Sequence, residues 1–356
     1  MSEKTMKDIV APLLAWYEIH QKDMPWRRDP TPYHVWISEI MLQQTRIEAA
    51  IPYYERFLSE VPDVYALASL EDDTLMKLWQ GLGYYSRARN LKAAAEVICA
   101  RYGGKLPRRA SELKTLPGIG EYTAGAIASI AYGEPEPAVD GNVLRVIMRL
   151  QACEDDVMSP VTRRRVTEEL RAIYPVGKEA GIFTQALMEL GEVVCIPNGE
   201  PRCEECPVRA HCRARVLGRT ADLPVRNAKK GRRQEARTVL LMRCDGRFAI
   251  AKRESKGLLA GLWEFPNVPG TLTPEQVRDR LAEWGITARL VTPCGEARHI
   301  FSHVEWNMTG YIVECENKTD AFVWCEPDEI RRQYAIPTAF RFYVNTLDNG
   351  KDKDKT

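Results

Sequence analysis

The chain has 356 residues, a length that predicts two or three domains rather than one. Hydrophobic residues make up 45% of it, enough for buried cores, but no run of about 18 apolar residues and no secretory signal pattern occurs. We therefore expect a cytoplasmic protein without membrane contact. The net charge of +1 excludes a uniformly basic protein, so any nucleic-acid contact depends on local positive charge.

The first 225 residues are predicted to be almost entirely helical, with short joints rich in proline and glycine between the helices. The strongest helical periods fall at 34–44, 64–79, 86–101, 121–132, 143–151, 162–173 and 179–194. Thr162 is the predicted N-cap of the helix at 162–173.

The composition changes after residue 225. Residues 226–237 hold six basic residues, one acidic residue and no large apolar residue, which predicts an exposed linker. Over 238–347, β-rich segments surround one amphipathic helix at 273–285, which predicts an α+β domain. The polar tail, 348–356, is predicted to be disordered.

Four of the ten cysteines lie close together in the sequence. Cys195, Cys203, Cys206 and Cys212 are separated by seven, two and five residues. Four thiolates at such spacing satisfy the ligand count of either a structural zinc ion or an iron–sulfur cluster. Disulfides are not expected in a reducing cytoplasm, and the six scattered cysteines are expected to be buried free thiols.

The segment from Leu113 to Tyr132 is predicted to form a helix, a tight turn with the sequence LPGIG, and a second helix. Gly118 and Gly120 flank Ile119, which we expect to pack beneath the turn. Amides that precede a helix N-terminus favour an anion such as a phosphate. A Gly-x-Gly turn also occurs in ordinary helix joints, so the turn alone leaves both interpretations open.

Two carboxylates occur where their pKa values are expected to move apart. Glu39 has Val35, Trp36 and Leu42 three or four residues away on a predicted helix, and desolvation among such neighbours raises a carboxyl pKa. Asp140 precedes an apolar helix, whose N-terminus keeps a carboxylate ionised. The structural alternatives are a solvated glutamate and a simple capping aspartate. One raised and one depressed pKa is typical of enzymes that cleave glycosidic bonds through an oxocarbenium-like transition state.

Longer motifs connect these features. They are PWR at 25–27, SEIMLQQTR at 38–46, GLGYYSRARNL at 81–91, LPGIGEYTA at 116–124, VDGNV at 139–143, the four cysteines and FSH at 301–303. On these motifs nearly the whole chain resembles the helix–hairpin–helix DNA glycosylases, and among them the adenine DNA glycosylases of MutY type. The first cysteine gap is one residue longer than the six usual in that family.

The resemblance implies a multidomain fold, with an all-α helix–hairpin–helix glycosylase core and an α+β Nudix-like C-terminal domain. The implied boundaries are 1–225 for the core, 29–136 for its six-helix module, 1–28 plus 137–225 for its cluster module, 195–212 for the cluster loop and 238–347 for the Nudix-like domain. The four cysteines are the implied ligands of a 4Fe–4S cluster.

The resemblance also implies roles for individual residues. Glu39 is the implied acid that protonates a flipped adenine at N7, and Asp140 is the implied carboxylate that stabilises, or transiently bonds to, the deoxyribose cation. Tyr122 and Asn142 are their implied orienting partners. The residues implied to contact DNA are Arg27, Leu42, Gln44, Tyr84, Gly118, Gly120, Phe301, Ser302 and His303, and of these Gln44 and Tyr84 enter the base stack.

The implied substrate is duplex DNA with adenine opposite 8-oxoguanine or guanine, bound by a monomer that is associated with the nucleoid if the source is a bacterium. Relatives resembling endonuclease III carry a Schiff-base lysine two residues after the second hairpin glycine. Tyr122 occupies that position, and a phenol cannot form an imine, so we expect no efficient β-lyase activity. Glycosylases for other lesions are disfavoured by Tyr122 and by the second domain, and a catalytically silent damage-binding protein is disfavoured by Glu39 and Asp140.

The C-terminal part resembles the MutT-like, or Nudix, domain that this family uses to recognise 8-oxoguanine, and Phe301, Ser302 and His303 match the contacting loop. The alternative is a working Nudix hydrolase, which needs a glutamate-rich box to hold magnesium. Residues 278–286 retain only Glu283 of such a box. We therefore interpret the domain as a recognition module.

Overall fold

In a computed structural model, which describes residues 6–227 and 231–347, the chain forms two compact units. The described parts of the first unit are residues 6–69 and 89–227, and those of the second are 70–88 and 231–347. Residues 70–88, predicted to belong to the helical domain, thus group with the C-terminal unit. No helix within the described ranges combines the length and apolarity that crossing a bilayer requires.

The helices that precede residue 227 cover most of the predicted helical region. They are α1 Val10–His20, α2 Pro25–Arg28, α3 Pro32–Leu42, α4 Ile47–Glu60, α5 Val64–Ser69, α6 Asp72–Trp79, α7 Ser86–Tyr102, α8 Ala110–Leu113, α9 Glu121–Ala126, α10 Gly141–Gln151, α11 Pro160–Arg171, α12 Lys178–Val193 and α13 Arg213–Val216. A π-helical segment, Ile127–Ala131, follows α9 directly, so the single helix predicted at 121–132 changes its hydrogen bonding midway.

Two local predictions are corrected. The helix predicted at 64–79 is divided into α5 and α6, because Glu71 takes an extended conformation as the N-cap of α6. The N-cap of α11 is Ser159, whose side chain accepts the Val161 N–H at 3.2 Å, and not Thr162. Pro160 suits the first helical position, which leaves Thr162 buried inside the first turn.

One hydrophobic core in the first unit joins the N-terminal helix to the cysteine-rich loop. It contains Leu13 from α1, Ile147 from α10 and Leu187 from α12, all 1% exposed or less. Three of the four clustered cysteines pack at its edge as partly buried side chains. The segments that the resemblance assigns to the cluster module therefore share one core.

The second unit is built on a seven-stranded sheet. Its strands are β1 Arg233–Cys244, β2 Arg247–Lys252, β3 Trp263–Glu264, β4 Asn267–Pro269, β5 Ala288–Ile300, β6 Val304–Cys315 and β7 Val323–Cys325, and its C-terminal helices are α14 Pro274–Glu283, α15 Pro327–Gln333 and α16 Arg341–Thr346. The main order is β3-β2-β1-β6-β5, with β1 and β6 parallel and with β4 and β7 attached to β1 and β2. The predicted α+β domain is confirmed.

The predicted linker, 226–237, is too long. The strand β1 begins at Arg233, which is paired with Val304 of β6. The first residues of β1 are polar because they are exposed to solvent. Their extended conformation is determined by backbone pairing with β6, which composition does not reveal. Residues 228–230 of the predicted linker and the whole predicted tail, 348–356, lie outside the described residues.

Candidate active site

The four predicted catalytic residues line one cleft in the first unit. This cleft has a volume of about 1070 Å³ and is lined by Glu39, Tyr122, Asp140 and Asn142, among others. Its size matches the upper range of pockets that enclose small organic ligands. The cleft is also lined by four of the predicted DNA contacts from the same part of the chain, Arg27, Leu42, Gln44 and Gly120.

Glu39 is a buried carboxyl group on α3. The helix begins after Thr31, whose side chain accepts the His34 N–H, and it buries Val35 and Trp36 beside the glutamate. Glu39 itself is 7% exposed, and this burial raises its pKa from 4.5 to about 7, against the opposing effect of the hydrogen bond from Tyr122. The predicted elevation of this pKa is confirmed, so Glu39 can donate a proton near neutral pH.

Tyr122 lies on α9, directly after the hairpin turn. Its hydroxyl donates a hydrogen bond of 2.5 Å to Oε2 of Glu39. Burial and the neighbouring carboxyls raise the pKa of Tyr122 well above 10, so the phenol stays protonated and remains a donor. This contact fixes the orientation of the Glu39 carboxyl group in the cleft.

Asp140 caps α10, as one of the two predicted interpretations requires. Its Oδ1 accepts the Val143 N–H at 2.7 Å and its Oδ2 accepts the Asn142 side-chain N–H at 3.0 Å. The prediction of a depressed pKa is wrong: burial raises the pKa of Asp140 above its usual value, although these hydrogen bonds and the nearby Arg145 oppose the shift. Burial therefore raises the pKa of both carboxyls, to about 7 for Glu39.

A second charged pair in the cleft was missed by the sequence interpretation. Arg27 Nη1 lies 2.7 Å from Oε2 of Glu189 on α12, and that glutamate side chain is 1% exposed. Arg27 is therefore neutralised at the wall of the cleft rather than free on the surface. Gln185, Glu189 and Glu192 all line the cleft at helical spacing. This polar stripe on an otherwise buried helix was the signal that could have identified them.

The hairpin turn has the geometry predicted from its glycines. Gly118 has a φ of +74°, and a Cβ there would lie 2.6 Å from the Cβ of Asn90. Gly120 is the N-cap of α9 and faces open space, while Ile119 is buried as expected. Gly118 thus allows the turn to pack closely against Asn90, and Gly120 leaves open space before α9, which suits close approach of an anion.

Two residues implied to enter the base stack have unusual backbone conformations. In the first unit, Gln44 has a φ of +60° just after α3. In the second unit, Tyr84 has a φ of +47° just before α7 and is 44% exposed. Left-handed conformations at residues other than glycine are uncommon and tend to mark functional positions.

The four clustered cysteines line one small cavity, together with Arg149 and Arg215. All four are free thiols. Across 6–227 and 231–347, no three His, Cys, Asp or Glu side chains are placed to hold a metal ion. A zinc ion holds each sulfur at about 2.3 Å, whereas a cluster spreads its ligands around four irons. The donor set, four thiols around one cavity, is chemically that of a 4Fe–4S cluster and also that of a structural zinc ion.

Helix α10 runs from its N-cap, Asp140, towards the cysteine loop. At its start, Arg145 Nη2 donates to Oδ1 of Asn142 at 2.8 Å, and Arg145 Nε donates to the Cys195 carbonyl at 2.7 Å. One turn further, Arg149 Nη1 lies 3.3 Å from Sγ of Cys195. Buried arginines therefore link the surroundings of Asp140 to the first predicted cluster ligand.

In the second unit, the loop 301–303 closes the hairpin between β5 and β6. The Phe301 N–H donates to the Val304 carbonyl at 2.8 Å, and the Phe301 ring packs edge-on against Trp306 at 5.0 Å. Ser302 and His303 are exposed at the tip. Glu283, the residue left from a magnesium box, forms an exposed ion pair with Arg280 of its own helix at 2.6 Å.

Known proteins resemble both parts of the chain. Residues 37–175 match the family described as HhH-GPD superfamily base excision DNA repair protein, and residues 237–346 match the NUDIX domain. The adenine DNA glycosylase of Homo sapiens is 34% identical over 370 residues, which cover 86% of this chain and 67% of that protein. The adenine DNA glycosylase of Rattus norvegicus is 33% identical over 395 residues, which cover 92% and 76%.

A solved structure, a thermostable thymine-DNA glycosylase, is 28% identical with a TM-score of 0.55 and covers 60% of this chain and 98% of its own. The predicted fold class, with a helical glycosylase core and a Nudix domain, is thereby confirmed. So is the prediction that the protein is a DNA glycosylase of base excision repair. Because the similarity extends over both domains, the chain belongs to the adenine DNA glycosylases.

Proposed function

We propose that this enzyme hydrolyses the N-glycosidic bond of adenine opposite 8-oxoguanine or guanine in duplex DNA. The observation that carries the proposal is the pair of carboxyl groups in one cleft, Glu39 with a pKa of about 7 and Asp140 at the N-terminus of α10. Such a pair suits a reaction in which a leaving group gains a proton while a sugar gains positive charge.

In the proposed reaction the target adenine is extruded from the duplex into the cleft. Glu39 donates its proton to N7 of adenine, the N9–C1′ bond breaks, and its electron pair leaves with the base. The Asp140 carboxylate stabilises the resulting cation at C1′, or bonds to it transiently. Water then adds to C1′ and gives a proton to the Glu39 carboxylate, which leaves an abasic site and restores the acid.

The neighbours of the two carboxyls position them for these steps. The Tyr122 hydroxyl holds the Glu39 carboxyl from one side, at 2.5 Å. Asn142 donates to Asp140 and in turn accepts from Arg145, so its amide orientation is determined on both sides. The groups that face the charges developing on adenine and on the sugar are therefore already oriented. This lowers the energy of reorganisation in the transition state.

DNA contacts are proposed to come from both units. The turn at Gly118 and Gly120 binds a phosphate, Gln44 and Tyr84 enter the base stack, and the tip Phe301–His303 recognises the oxidised base opposite adenine. A 4Fe–4S cluster held by Cys195, Cys203, Cys206 and Cys212 is proposed to stabilise the loop 195–212.

The direct test is adenine release under single-turnover conditions from three duplexes that differ only in the base opposite adenine. We expect the fastest release opposite 8-oxoguanine, slower release opposite guanine and little opposite thymine. Duplexes with a thymine mismatch or an oxidised pyrimidine serve as controls for another lesion specificity. Equal rates on all three adenine duplexes, or faster release of a pyrimidine, would contradict the proposed substrate.

Strand cleavage provides a second prediction. Because Tyr122 cannot form an imine, we expect abasic DNA to be nicked only after alkali treatment, even at enzyme excess. Incubation of an abasic duplex with the enzyme, with and without alkali, measures this directly. Rapid nicking without alkali, trapped by borohydride as a protein–DNA adduct, would refute monofunctional chemistry.

The metal content provides a third prediction. We expect about four irons and four sulfides per chain in the purified protein, with little zinc. Cys206→Ser should lower the iron content and the thermal stability together, because this thiol lies at the edge of the core. Cys244→Ser, in the second unit, is the matched control that should retain all the iron. One zinc per chain without iron would favour the structural-zinc alternative.

A further inference from the structure

The turn that carries Tyr84 belongs to the same compact unit as the loop Phe301–His303, although the two are distant in sequence. The turn follows α6, which the family match places inside the helical repair module. Both elements are proposed to probe DNA, one by entering the base stack and the other at the base opposite adenine. The contacts that hold α6 within the second unit therefore help to determine the position of the Tyr84 turn relative to the loop Phe301–His303.

Lys77 of α6 and Gln80, the C-cap of that helix, bind the end of α15 and the segment that follows it. Lys77 Nζ donates to the carbonyl oxygens of Arg331 at 2.5 Å and Tyr334 at 3.1 Å. Gln80 Nε2 donates to the Ile336 carbonyl at 2.8 Å. Carbonyls at a helix C-terminus lack partners within the helix and attract a positive charge. Of the three acceptors, Arg331 belongs to the last turn of α15, whereas Tyr334 and Ile336 follow the helix, and the Tyr334 carbonyl also accepts the Ile336 N–H at 3.1 Å.

The path from Gln80 to Tyr84 is short and held by hydrogen bonds. The Trp79 indole N–H donates to the Gly83 carbonyl at 3.1 Å. The buried Arg87 donates to the Leu82 carbonyl at 3.0 Å and also to the Gly83 carbonyl. Tyr84 thus projects from a turn whose backbone is restrained on both sides, and a shift of α6 moves the tyrosine with it.

On the other side, the segment that receives Lys77 and Gln80 shares a core with the DNA-probing loop. Tyr334 packs edge-on against Trp263 at 4.7 Å. Ile336 lies in the same hydrophobic cluster as Trp306, on which the Phe301 ring packs. One hydrophobic cluster and a set of hydrogen bonds therefore connect the loop at Phe301 with the turn that carries Tyr84.

We propose that Lys77 and Gln80 are positioning residues that fix the Tyr84 turn relative to the loop Phe301–His303. This inference rests on the proposed function. It deepens that function by making stack insertion and recognition of the opposite base one joint event. When the links are lost, Tyr84 inserts whether or not the oxidised base is recognised, so discrimination falls while the chemistry of the cleft is unchanged.

The experiment combines Lys77→Met with Gln80→Leu, which removes the donors and keeps the apolar volume. We expect the ratio of adenine excision opposite 8-oxoguanine to that opposite guanine to fall about tenfold, the size typical of losing a charged hydrogen bond. The single variant Lys77→Arg keeps a donor at this position and should retain the wild-type ratio. Arg280→Met, which removes an exposed cation from α14, is the matched control and should leave the ratio unchanged.

The same changes made in a Tyr84→Ala background separate positioning from general stability. A positioning role predicts that the double change then has no further effect on the ratio, because no ring remains to be placed. An unchanged ratio with Tyr84 present, or an equal loss without it, would overturn the inference. If the wild type shows no preference for 8-oxoguanine, the proposed specificity fails. DNA affinity, measured for the same variants with and without Tyr84→Ala, still decides whether Lys77 and Tyr84 are coupled.

Discussion

Glu39→Gln should abolish adenine excision while leaving DNA binding intact. The amide cannot supply the proton that adenine needs to leave, and a general acid contributes about 10²–10⁴-fold to the rate. The Tyr122 hydroxyl can still donate to the amide oxygen, so the geometry of the cleft is retained. Single-turnover excision and a DNA-binding assay on the same duplex measure the two effects separately. Excision at the wild-type rate would refute the role of Glu39.

The same substitution should stabilise the protein at alkaline pH. The pKa of Glu39 is 4.5 when unfolded and about 7 when folded, so the folded state binds more protons between these values. Stability from this group is complete below pH 4.5 and is lost as the pH rises through 7, a change of about 3 kcal/mol. Glu39→Gln removes this loss, and we expect it to be more stable than the wild type at pH 8.

Denaturant unfolding at pH 5 and pH 8 measures this difference, with Glu48→Gln, an exposed residue of α4, as the control. The excision rate provides an independent check, because the acid must be protonated to act. Wild-type excision should therefore decline above pH 7. A rate that stays constant up to pH 9 would contradict proton donation by Glu39.

Asp140→Asn should reduce excision about 10²–10³-fold, since it removes the negative charge that faces the developing sugar cation. Asparagine caps a helix about as well as aspartate, and its oxygen can still accept the Val143 N–H. We therefore expect the unfolding temperature of this variant to stay close to that of the wild type, so the loss is one of chemistry and not of folding.

Asp140→Ala separates the two roles of this residue. It removes both the charge and the cap, and we expect a further loss of about 0.5–2 kcal/mol in stability. Thermal unfolding of the two variants, beside their excision rates, distinguishes the roles. Near wild-type excision by Asp140→Asn would show that the carboxylate acts only as a cap.

Local chemistry was predictable from the sequence wherever residues close in the chain determine it. The apolar residues Val35 and Trp36 predicted that the Glu39 carboxyl is desolvated, and Gly118 and Gly120 predicted a tight turn. By contrast, the partner of Arg27 was not predictable, because Glu189 lies far along the chain and meets it only after folding. Neither was the start of β1, whose polar residues are held by pairing with β6.

By itself the sequence determined the residue types, their spacing and hence the kind of chemistry: two carboxyls, a glycine turn and four clustered thiols. These are local properties that survive in the unfolded chain. Only the tertiary structure decided that burial raises the pKa of Asp140 despite its helix N-terminus, and that residues 70–88 belong with the second unit. The pKa of Asp140 and the grouping of residues 70–88 both depend on contacts with residues distant in the sequence. Those contacts form only when the chain folds.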